Sequence, residues 1–390
     1  MTAAALRCVS LSGALLRYAD GMPKGPDSRP ARNRATDAFE RRVARALGEH
    51  PHAEATLLVA CSGGPDSSAA LVAVARAAAS PGAEVVAANF DHGLRPAAET
   101  AADRAHVEAL AACLGLRVLA GRAREDAGHA EAAARDARYR WLAGAAREVG
   151  AAGCVTGHTL DDQAETVLLR LTRGSGLAGA AAMAADALWP VPSAMQSAAA
   201  AAPAPLRLLR PLLDVTRADV EGYLDALGLR ELGLEPRADP TNKQIAFDRN
   251  RIRRRVLPEL RAINPRAAEA LARFAAHARR DDAALEAWAA REAEALLCLE
   301  GGLEGGLDGG AIRLDRRALA RLPQAVALRV LRLAATRAGI ALDAGQAEGV
   351  LATCGRRGAR LDLRGGAAWT DAATLWLRRT DAASADIGAT

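Results

Sequence analysis

The sequence predicts an α/β fold with a doubly wound parallel sheet, followed by a smaller, mainly helical domain and a short C-terminal α/β tail. Four short apolar runs alternate with helical segments through residues 56–171. Strands that alternate with helices in this way are typical of a parallel sheet with helices on both faces. At 390 residues the chain is long enough for two or three domains.

The order of the predicted elements places polar residues at the ends of three strands. The strands are predicted at residues 56–61, 84–90, 116–120 and 153–156, and the helices at residues 67–78, 97–114, 131–149 and 160–171. Ser62, Asp91 and His158 each follow the end of a strand. Because ligands of doubly wound sheets bind at the carboxyl ends of the strands, we expect these residues to converge on one site.

The turn after the first strand has the composition of a phosphate-binding loop. Its residues are, in order, Ser62, Gly63, Gly64, Pro65, Asp66 and Ser67. Backbone N–H groups at a glycine-rich turn that opens a helix bind anions, above all phosphate. No Lys follows the glycines, and the turn is too short for a Walker A loop. An ordinary strand–turn–helix joint with a serine cap is the alternative interpretation.

A second cluster of polar residues begins at the end of the fourth strand. Residues 156–165 read TGHTLDDQAE and contain His158, Asp161, Asp162 and Glu165. Residues three or four apart share one face of a helix, so these side chains are expected to be neighbours. Acids at a helix start suit its dipole, and they could also bind Mg²⁺ or a cationic amine. An acidic helix cap is the alternative.

Positive charge is expected near the same strand ends. Residues 91–95 read DHGLR and provide the imidazole of His92 and the guanidinium of Arg95. Such groups can stabilise the charge that develops on a leaving pyrophosphate. Arg135 and Arg138 lie one turn apart on a predicted helix, where a solvated face is the alternative.

Beyond a turn cluster at residues 239–242, the chain becomes strongly basic. Residues 246–280 contain ten Arg against three acidic residues, and five of the Arg fall within residues 249–255. This density suits contacts with RNA phosphates, and the net charge of +5 is compatible with a polyanionic partner. Aromatic residues make up 3% of the chain, so a broad base-stacking platform is not expected.

The remaining composition indicates a reduced, cytoplasmic protein. The six cysteines are scattered and include no C-x-x-C pair. No apolar run approaches the roughly 18 residues of a membrane span, so no membrane association is expected. Residues 1–36 are predicted to be a disordered leader, and the Ala-, Pro- and Ser-rich residues 190–205 a flexible insertion.

Together, these motifs resemble the tRNA(Ile)-lysidine synthase family, which belongs to the N-type ATP pyrophosphatases of the PP-loop superfamily. The matching stretches are SGGPDS at 62–67, DHGLRP at 91–96, EAAARDARYRWL at 131–142, TGHTLDDQAETVLLRLTRGSGLAG at 156–179, LRPLLDVTRADVEGYL at 209–224, and DPTN and RNRIRRRVLPEL at 239–260. They occur in family order, and the stretch from Thr156 is the most specific. Thr159 stands where many family members have a second His.

The resemblance implies a fold, a reaction and partners. It implies a PP-loop catalytic domain (adenine nucleotide α hydrolase-like) and a helical domain that holds tRNA. From the sequence we place the catalytic domain at residues 37–245, a basic linker and long helix for tRNA binding at 246–299, and a small C-terminal helical region with a β-hairpin at 311–390. ATP, with Mg²⁺, would activate O2 of the wobble cytidine in the CAU anticodon of tRNA(Ile). The ε-amine of free L-lysine would then displace AMP and form lysidine. A homodimer is compatible with the resemblance.

Family roles can be transferred to the matching positions. ATP would be bound by residues 62–67, with Asp66 also holding Mg²⁺. The implied catalytic residues are Asp66, His92, Arg95 and Asp161. The implied lysine-binding residues are Asp162, Glu165 and His158. Arg135 and Arg138 would serve the nucleotide or cytidine pocket. The implied contacts to the tRNA backbone are Arg249, Arg251 and Arg254.

Three other functions share some of these features. An RNA-thiolating enzyme would use the same ATP loop but usually needs paired cysteines, and here Cys113 and Cys154 could meet only through the fold. A glutamine-dependent ligase would need an amidotransferase partner, and the sequence shows no such domain. A non-catalytic RNA-binding protein would use the basic region and would bind tRNA without ATP turnover.

Overall fold

The computed structural model describes residues 30–48, 55–77, 84–123, 131–190, 206–237, 248–299 and 311–380. Most of the predicted leader and of the predicted insertion lies outside these ranges, as does the turn cluster at residues 239–242. The chain forms two compact units, Met1–Ala275 and Ala276–Thr390. The domain limits given above from the resemblance stay predictions.

The first unit is built on a six-stranded sheet in the order β3-β2-β1-β4-β6-β5. Its strands are β1 (Leu57–Ala60), β2 (Val85–Asp91), β3 (Arg117–Arg122), β4 (Gly153–Thr156), β5 (Asp186–Leu188) and β6 (Arg207–Leu209). All neighbouring strands are parallel except β5 and β6. The chain moves outward from β1 to β3 and then returns to place β4 on the other side of β1. Clefts at such switch points bind ligands.

Helices cover both faces of this sheet, which confirms the predicted doubly wound α/β class. They are α1 (Arg34–Gly48), α2 (Pro65–Ala77), α3 (Ala97–Leu114), α4 (Glu131–Glu148), α5 (Leu160–Thr172), α6 (Leu177–Ala180) and α7 (Arg217–Ala226). Leu57 and Val59 of β1 belong to a buried cluster with α1, α2, α3 and α7, whereas Leu58 packs in a second cluster with α4. Successive strand residues point to opposite faces, so one short strand supports both layers.

An Arg-rich segment follows in the first unit. It consists of α8 (Asp248–Arg251), a π-helical turn (Ile252–Val256) and α9 (Leu257–Ile263), and it leads into α10 (Ala267–Leu296). Ile252 and Leu257 are buried in one cluster with Leu160 and Ala164 of α5. This apolar contact fixes the Arg-rich segment beside the helix that follows β4.

The second unit combines helices with an antiparallel sheet in the order β7-β8-β11-β10-β9. Its elements are β7 (Leu297–Leu299), β8 (Ile312–Asp315), α11 (Arg316–Arg321), α12 (Gln324–Arg337), α13 (Ala344–Thr353), β9 (Arg360–Leu363), β10 (Gly366–Thr370) and β11 (Thr374–Arg379). The predicted hairpin is thus part of a five-stranded sheet. Helices α11 and α12 are separated at Leu322, because Pro323 disfavours helical backbone at the residue before it. None of the helices in the described ranges combines the length and apolar character that crossing a membrane requires.

Candidate active site

The loop between β1 and α2 is closed by its own hydrogen bonds. Ser67 Oγ donates to the Gly64 carbonyl at 3.0 Å and accepts from the Ser62 N–H at 3.2 Å. The Ser62 and Ser67 hydroxyls are 3.1 Å apart. Gly63 adopts a positive φ of 86°, which only glycine takes without strain. The six predicted residues therefore form a preformed turn at the N-terminus of a 13-residue helix, the place where phosphates bind.

The backbone that follows β4 is in direct contact with the phosphate loop. A Cβ atom on Gly157 would lie 2.6 Å from the Asp66 carbonyl oxygen and 3.0 Å from the Ser67 Cα. The backbone after β4 can approach the phosphate loop this closely only because residue 157 has no side chain. The loop and the segment that carries His158 are thus in direct contact across the switch point.

Asp66 has the surroundings of a metal ligand. Its Oδ2 accepts from Arg217 Nη2 at 3.2 Å, whereas its buried Oδ1 accepts from no described residue. Burial raises the pKa of this carboxyl, although Arg217 counteracts part of the effect. Mg²⁺ prefers one or two carboxylates together with phosphate oxygens and water. Asp66 fits that role, and no larger group of His, Cys, Asp and Glu ligands occurs within the described ranges.

The residues at the end of β2 are tied to the phosphate loop through a buried carboxylate. Asp103 on α3 forms ion pairs with Arg95 and with Arg237, whose Nε lies 2.7 Å from Asp103 Oδ1. The Arg237 N–H in turn donates to the Gly63 carbonyl at 2.9 Å. Arg95 is therefore held by Asp103, and its predicted catalytic role stays a prediction. Asp103 and Arg237 were missed because nothing in either local sequence indicates a partner 134 residues away.

The two predicted arginines of α4 lie over the ring of Tyr139, and His92 contacts the ring of Phe90. The guanidinium carbons of Arg135 and Arg138 lie 5.2 and 5.4 Å from the Tyr139 ring centroid. Burial lowers the pKa of His92, and the nearby positive charge of Arg138 lowers it further. The same Arg138 charge acts on His158. The charge of Arg138 therefore affects both His92, which follows β2, and His158, which follows β4.

Helix α5 is capped by Thr159 and carries the acid cluster, defined as Asp161, Asp162 and Glu165. Asp162 Oδ2 accepts from the Thr159 N–H at 2.9 Å and from Thr159 Oγ1 at 3.0 Å, so it forms part of a capping box. The alternative interpretation as a helix cap is therefore correct for one oxygen of Asp162. His158 Nδ1 lies 2.8 Å from Thr156 Oγ1, and burial lowers the pKa of His158 far below its usual value.

The other oxygens of the acid cluster are bound by arginines. Arg249 donates to Asp162 Oδ1 and to Glu165 Oε2, each at 2.9 Å. Arg253 bridges the same two carboxylates, with its Nη2 3.2 Å from Asp162 Oδ1 and 2.9 Å from Glu165 Oε2. Burial alone would raise the pKa of Asp162, but Arg249 and the groups around it outweigh burial and hold it below its usual value. Asp161 pairs with Arg261 and accepts from the Arg217 N–H.

The five arginines of residues 249–255 therefore divide into two sets. Arg249 and Arg253 point to the acid cluster, whereas Arg251, Arg254 and Arg255 are exposed. Arg249 and Arg253 are four residues apart and therefore share one face of the helical segment. Arg249 was predicted to contact RNA, and Arg253 was given no role. The four-residue spacing of these two arginines could have indicated that they act together.

A cavity of about 340 Å³ opens beside the acid cluster within the first unit. Asp161, Glu165, Arg217 and Arg253 contribute polar groups to its wall, and Leu257 contributes an apolar surface. Acids, guanidinium groups and an apolar surface therefore line one cavity.

Comparison with known proteins identifies the family. The model of the PP-loop domain matches residues 35–260. The chain is 42% identical over 297 residues to the tRNA(Ile)-lysidine synthase of Methylobacterium nodulans, a match that covers 76% of this chain and 78% of that protein. The chain belongs to the tRNA(Ile)-lysidine synthase family.

A second relative in the tRNA(Ile)-lysidine synthase family gives the same result over a longer stretch. The tRNA(Ile)-lysidine synthase of Thermobifida fusca is 40% identical over 317 residues, which cover 80% of this chain and 85% of that protein. The predicted family, the PP-loop fold and the status as an ATP-using enzyme are confirmed. The roles of individual site residues stay predictions.

Proposed function

We propose that the protein joins free L-lysine to C2 of the wobble cytidine in the CAU anticodon of tRNA(Ile), in two steps that use one ATP. The observation that supports this most is the contact of the phosphate loop, through Gly157, with the segment that leads into the acid cluster. A site for AMP transfer and a site for an amine would thereby lie next to each other at the switch point of the sheet.

In the first step, residues 62–67 and the N-terminus of α2 would hold the phosphates of ATP. Cytidine O2 attacks the α-phosphorus, an O–P bond forms, and the bond to the β-phosphate breaks with its electron pair leaving on pyrophosphate. Mg²⁺ would supply charge neutralisation on the phosphate oxygens, with Asp66 Oδ1 as its protein ligand. Arg217 lies beside Asp66, and His92, which follows β2, would face the cytidine together with Arg135 and Arg138 of α4.

In the second step, the ε-amine of lysine attacks C2 of the adenylated cytidine. A C–N bond forms, the C2–O2 bond breaks, and AMP leaves with O2 and the electron pair. Asp162 and Glu165 would orient the amine and accept its proton. The ammonium group of lysine would compete with Arg249 and Arg253 for the same oxygens, so lysine binding requires at least one guanidinium to leave the acid cluster.

The runner-up reaction, RNA thiolation, is less compatible with the cysteines. Cys113 packs against the buried cluster on one face of the first sheet, and Cys154 lies in the cluster on the other face. Burial raises the pKa of Cys154 to about 12, and a buried thiol is a poor nucleophile. We also propose the cytoplasm as the location; the homodimer stays a prediction.

Incorporation of labelled lysine tests the proposed function. We expect the purified chain with ATP and Mg²⁺ to label a tRNA(Ile) transcript that has a CAU anticodon. A matched transcript with GAU should stay unlabelled because its wobble base is not cytidine. Absence of lysine from the CAU transcript, with ATP still bound, would refute the proposal, and incorporation of sulfur instead would support the thiolation reaction.

The exposed arginines of the Arg-rich segment should contribute to RNA affinity. Replacing Arg251 and Arg254 by alanine is expected to weaken tRNA binding and to reduce the slope of log K against log salt by about 1 to 2, because fewer counterions are released. Titrations between low and moderate salt measure this slope. The control is the pair Arg321→Ala and Arg332→Ala, which removes the same charge from exposed positions of the second unit. Equal slopes for both double variants would show that Arg251 and Arg254 face solvent and do not contact RNA.

A further inference from the structure

Asp103 of α3 is a buried carboxylate that lies directly beside the phosphate loop. Its side chain is 9% exposed, and its backbone carbonyl oxygen would lie 3.3 Å from a Cβ atom on Gly63. An ionised carboxylate is costly to remove from water unless charged or hydrogen-bonding partners compensate for the lost hydration. The partners that Asp103 has in the folded chain therefore indicate its role.

Each oxygen of the Asp103 carboxylate accepts from a different arginine. Oδ1 accepts from Arg237 Nε at 2.7 Å, and Oδ2 accepts from Arg95 Nη2. The two arginines come from distant parts of the chain, since Arg95 follows β2 and Arg237 follows α7. One carboxylate balances only one of the two guanidinium charges, so these three side chains together keep one positive charge beside the phosphate loop.

Arg237 connects the Asp103 carboxylate to the backbone of the phosphate loop. Its N–H donates to the Gly63 carbonyl at 2.9 Å, and its carbonyl oxygen would lie 3.9 Å from a Cβ atom on Gly64. The backbone of Arg237 is thus fixed to the loop, while its side chain is fixed to Asp103. Arg95, on the other carboxylate oxygen, is thereby held at a defined place relative to the loop.

A second residue of α3 supports the loop from the same face of the helix. His106 lies three residues after Asp103, and its Nε2 is 3.3 Å from Ser68 Oγ of α2. Its Cδ2 would lie 3.5 Å from a Cβ atom on Gly63. Helix α3 therefore contacts the loop over a full turn, and Asp103 projects from a rigid support. Groups that must be held accurately are best placed on such elements.

The transfer of AMP requires positive charge at a fixed place. Negative charge develops on pyrophosphate as it leaves, and donors that are already in position stabilise this charge without reorganising during the reaction. A free arginine side chain has many rotamers, and ordering it at the moment of reaction would cost conformational entropy. The bond to Asp103 orders the Arg95 guanidinium in advance.

We propose that Asp103 is a positioning residue for the first step, which holds Arg95 where its guanidinium binds the leaving pyrophosphate. Arg237 fixes the carboxylate of Asp103 to the phosphate loop, so the place of Arg95 follows that of the bound phosphates. This inference rests on the proposed function in taking pyrophosphate as the leaving group.

Titration of the full chain with inorganic pyrophosphate and Mg²⁺ tests the role of Asp103. Asp103→Asn is expected to weaken pyrophosphate binding about 10-fold, but less than about 2-fold when Arg95 is already replaced by alanine. A role in stability alone would give effects that multiply. Glu108→Gln is the matched control, because it removes a carboxylate from an ion pair with Arg104 on the same helix, and it should leave binding unchanged.

Arg237→Ala is a second variant, which removes a side chain that is 43% exposed and should leave the fold intact. It is expected to weaken pyrophosphate binding about 3-fold, and again to have little effect when Arg95 is absent. Thermal melting verifies that each variant is folded.

The outcomes separate this role from the proposed reaction. If Asp103→Asn binds pyrophosphate as tightly as Glu108→Gln does, or if its effect is the same with and without Arg95, Asp103 does not position Arg95. Failure of the unchanged chain to bind pyrophosphate would overturn the inference as well. Should the predicted non-additivity be found in a chain that does not incorporate lysine, the role of Asp103 stands and the proposed reaction fails.

Discussion

Replacing Glu165 by glutamine is expected to lower lysine transfer to tRNA by about 100-fold or more in kcat/KM for lysine. The amide can neither neutralise the lysine ammonium nor accept its proton. RNA-dependent exchange of labelled pyrophosphate into ATP should survive, because it reports the first step, which needs the phosphate loop and not Glu165. The two rates measured on the same preparation separate an amine-binding role from a general loss of activity.

The same substitution should also lower stability, since Glu165 neutralises two guanidinium groups. Its side chain is 1% exposed, whereas those of Arg249 and Arg253 are 34% and 22% exposed, so solvent screens part of the interaction. We expect a loss of about 2 kcal/mol in the free energy of unfolding by urea. Glu259→Gln is the control, an exposed acid on α9 of the same segment. If Glu165→Gln lowers lysine transfer and pyrophosphate exchange equally under conditions where the variant is folded, the role of Glu165 in lysine binding is contradicted.

Replacing Gly157 by alanine is expected to weaken ATP binding at least about 10-fold. The added Cβ would lie 2.6 Å from the Asp66 carbonyl oxygen and 2.8 Å from its carbonyl carbon, so the backbone of the phosphate loop must move. Because both neighbours are backbone atoms, no side-chain rotation relieves the contact. Equilibrium titration with ATP measures the effect.

Gly144→Ala provides the matched control for Gly157→Ala. Gly144 lies on α4, where an added Cβ would meet no atom within 4 Å. Alanine is the better helix former, so this change should leave ATP binding unchanged and raise stability by up to about 1 kcal/mol. Unchanged ATP affinity in Gly157→Ala would show that the approach of β4 to the loop does not shape the ATP site.

The parts of the fold that depend on local sequence were predictable. Apolar runs, glycine-rich turns and helical spacing located the first four strands, β1 to β4, of the first sheet, and the ends of β1, β2 and β4 lie where the phosphate loop, His92 and His158 were expected. Strand β8 was missed because its partner, β11, lies about 60 positions later in the chain.

The residues of the candidate site were predictable from the sequence, but the ion pairs between the acid cluster and the Arg-rich segment were not. The acid cluster and the Arg-rich segment were both located from composition, but they were assigned to separate partners, lysine and RNA. The structure joins them through Arg249 and Arg253, which lie 84 and 88 residues after Glu165. The burial of Glu165 makes it pair with these arginines, and burial cannot be read from the local sequence.

The central claim is that one site performs AMP transfer and then lysine transfer on the same cytidine. The most direct test incubates the chain with a CAU tRNA(Ile) transcript and ATP labelled at the α-phosphate, first without lysine and then with it. We expect AMP-labelled RNA in the first stage, and in the second stage release of one AMP for each lysine that enters the RNA. Lysine incorporation without AMP-labelled RNA, or AMP-labelled RNA that lysine does not discharge, would contradict it.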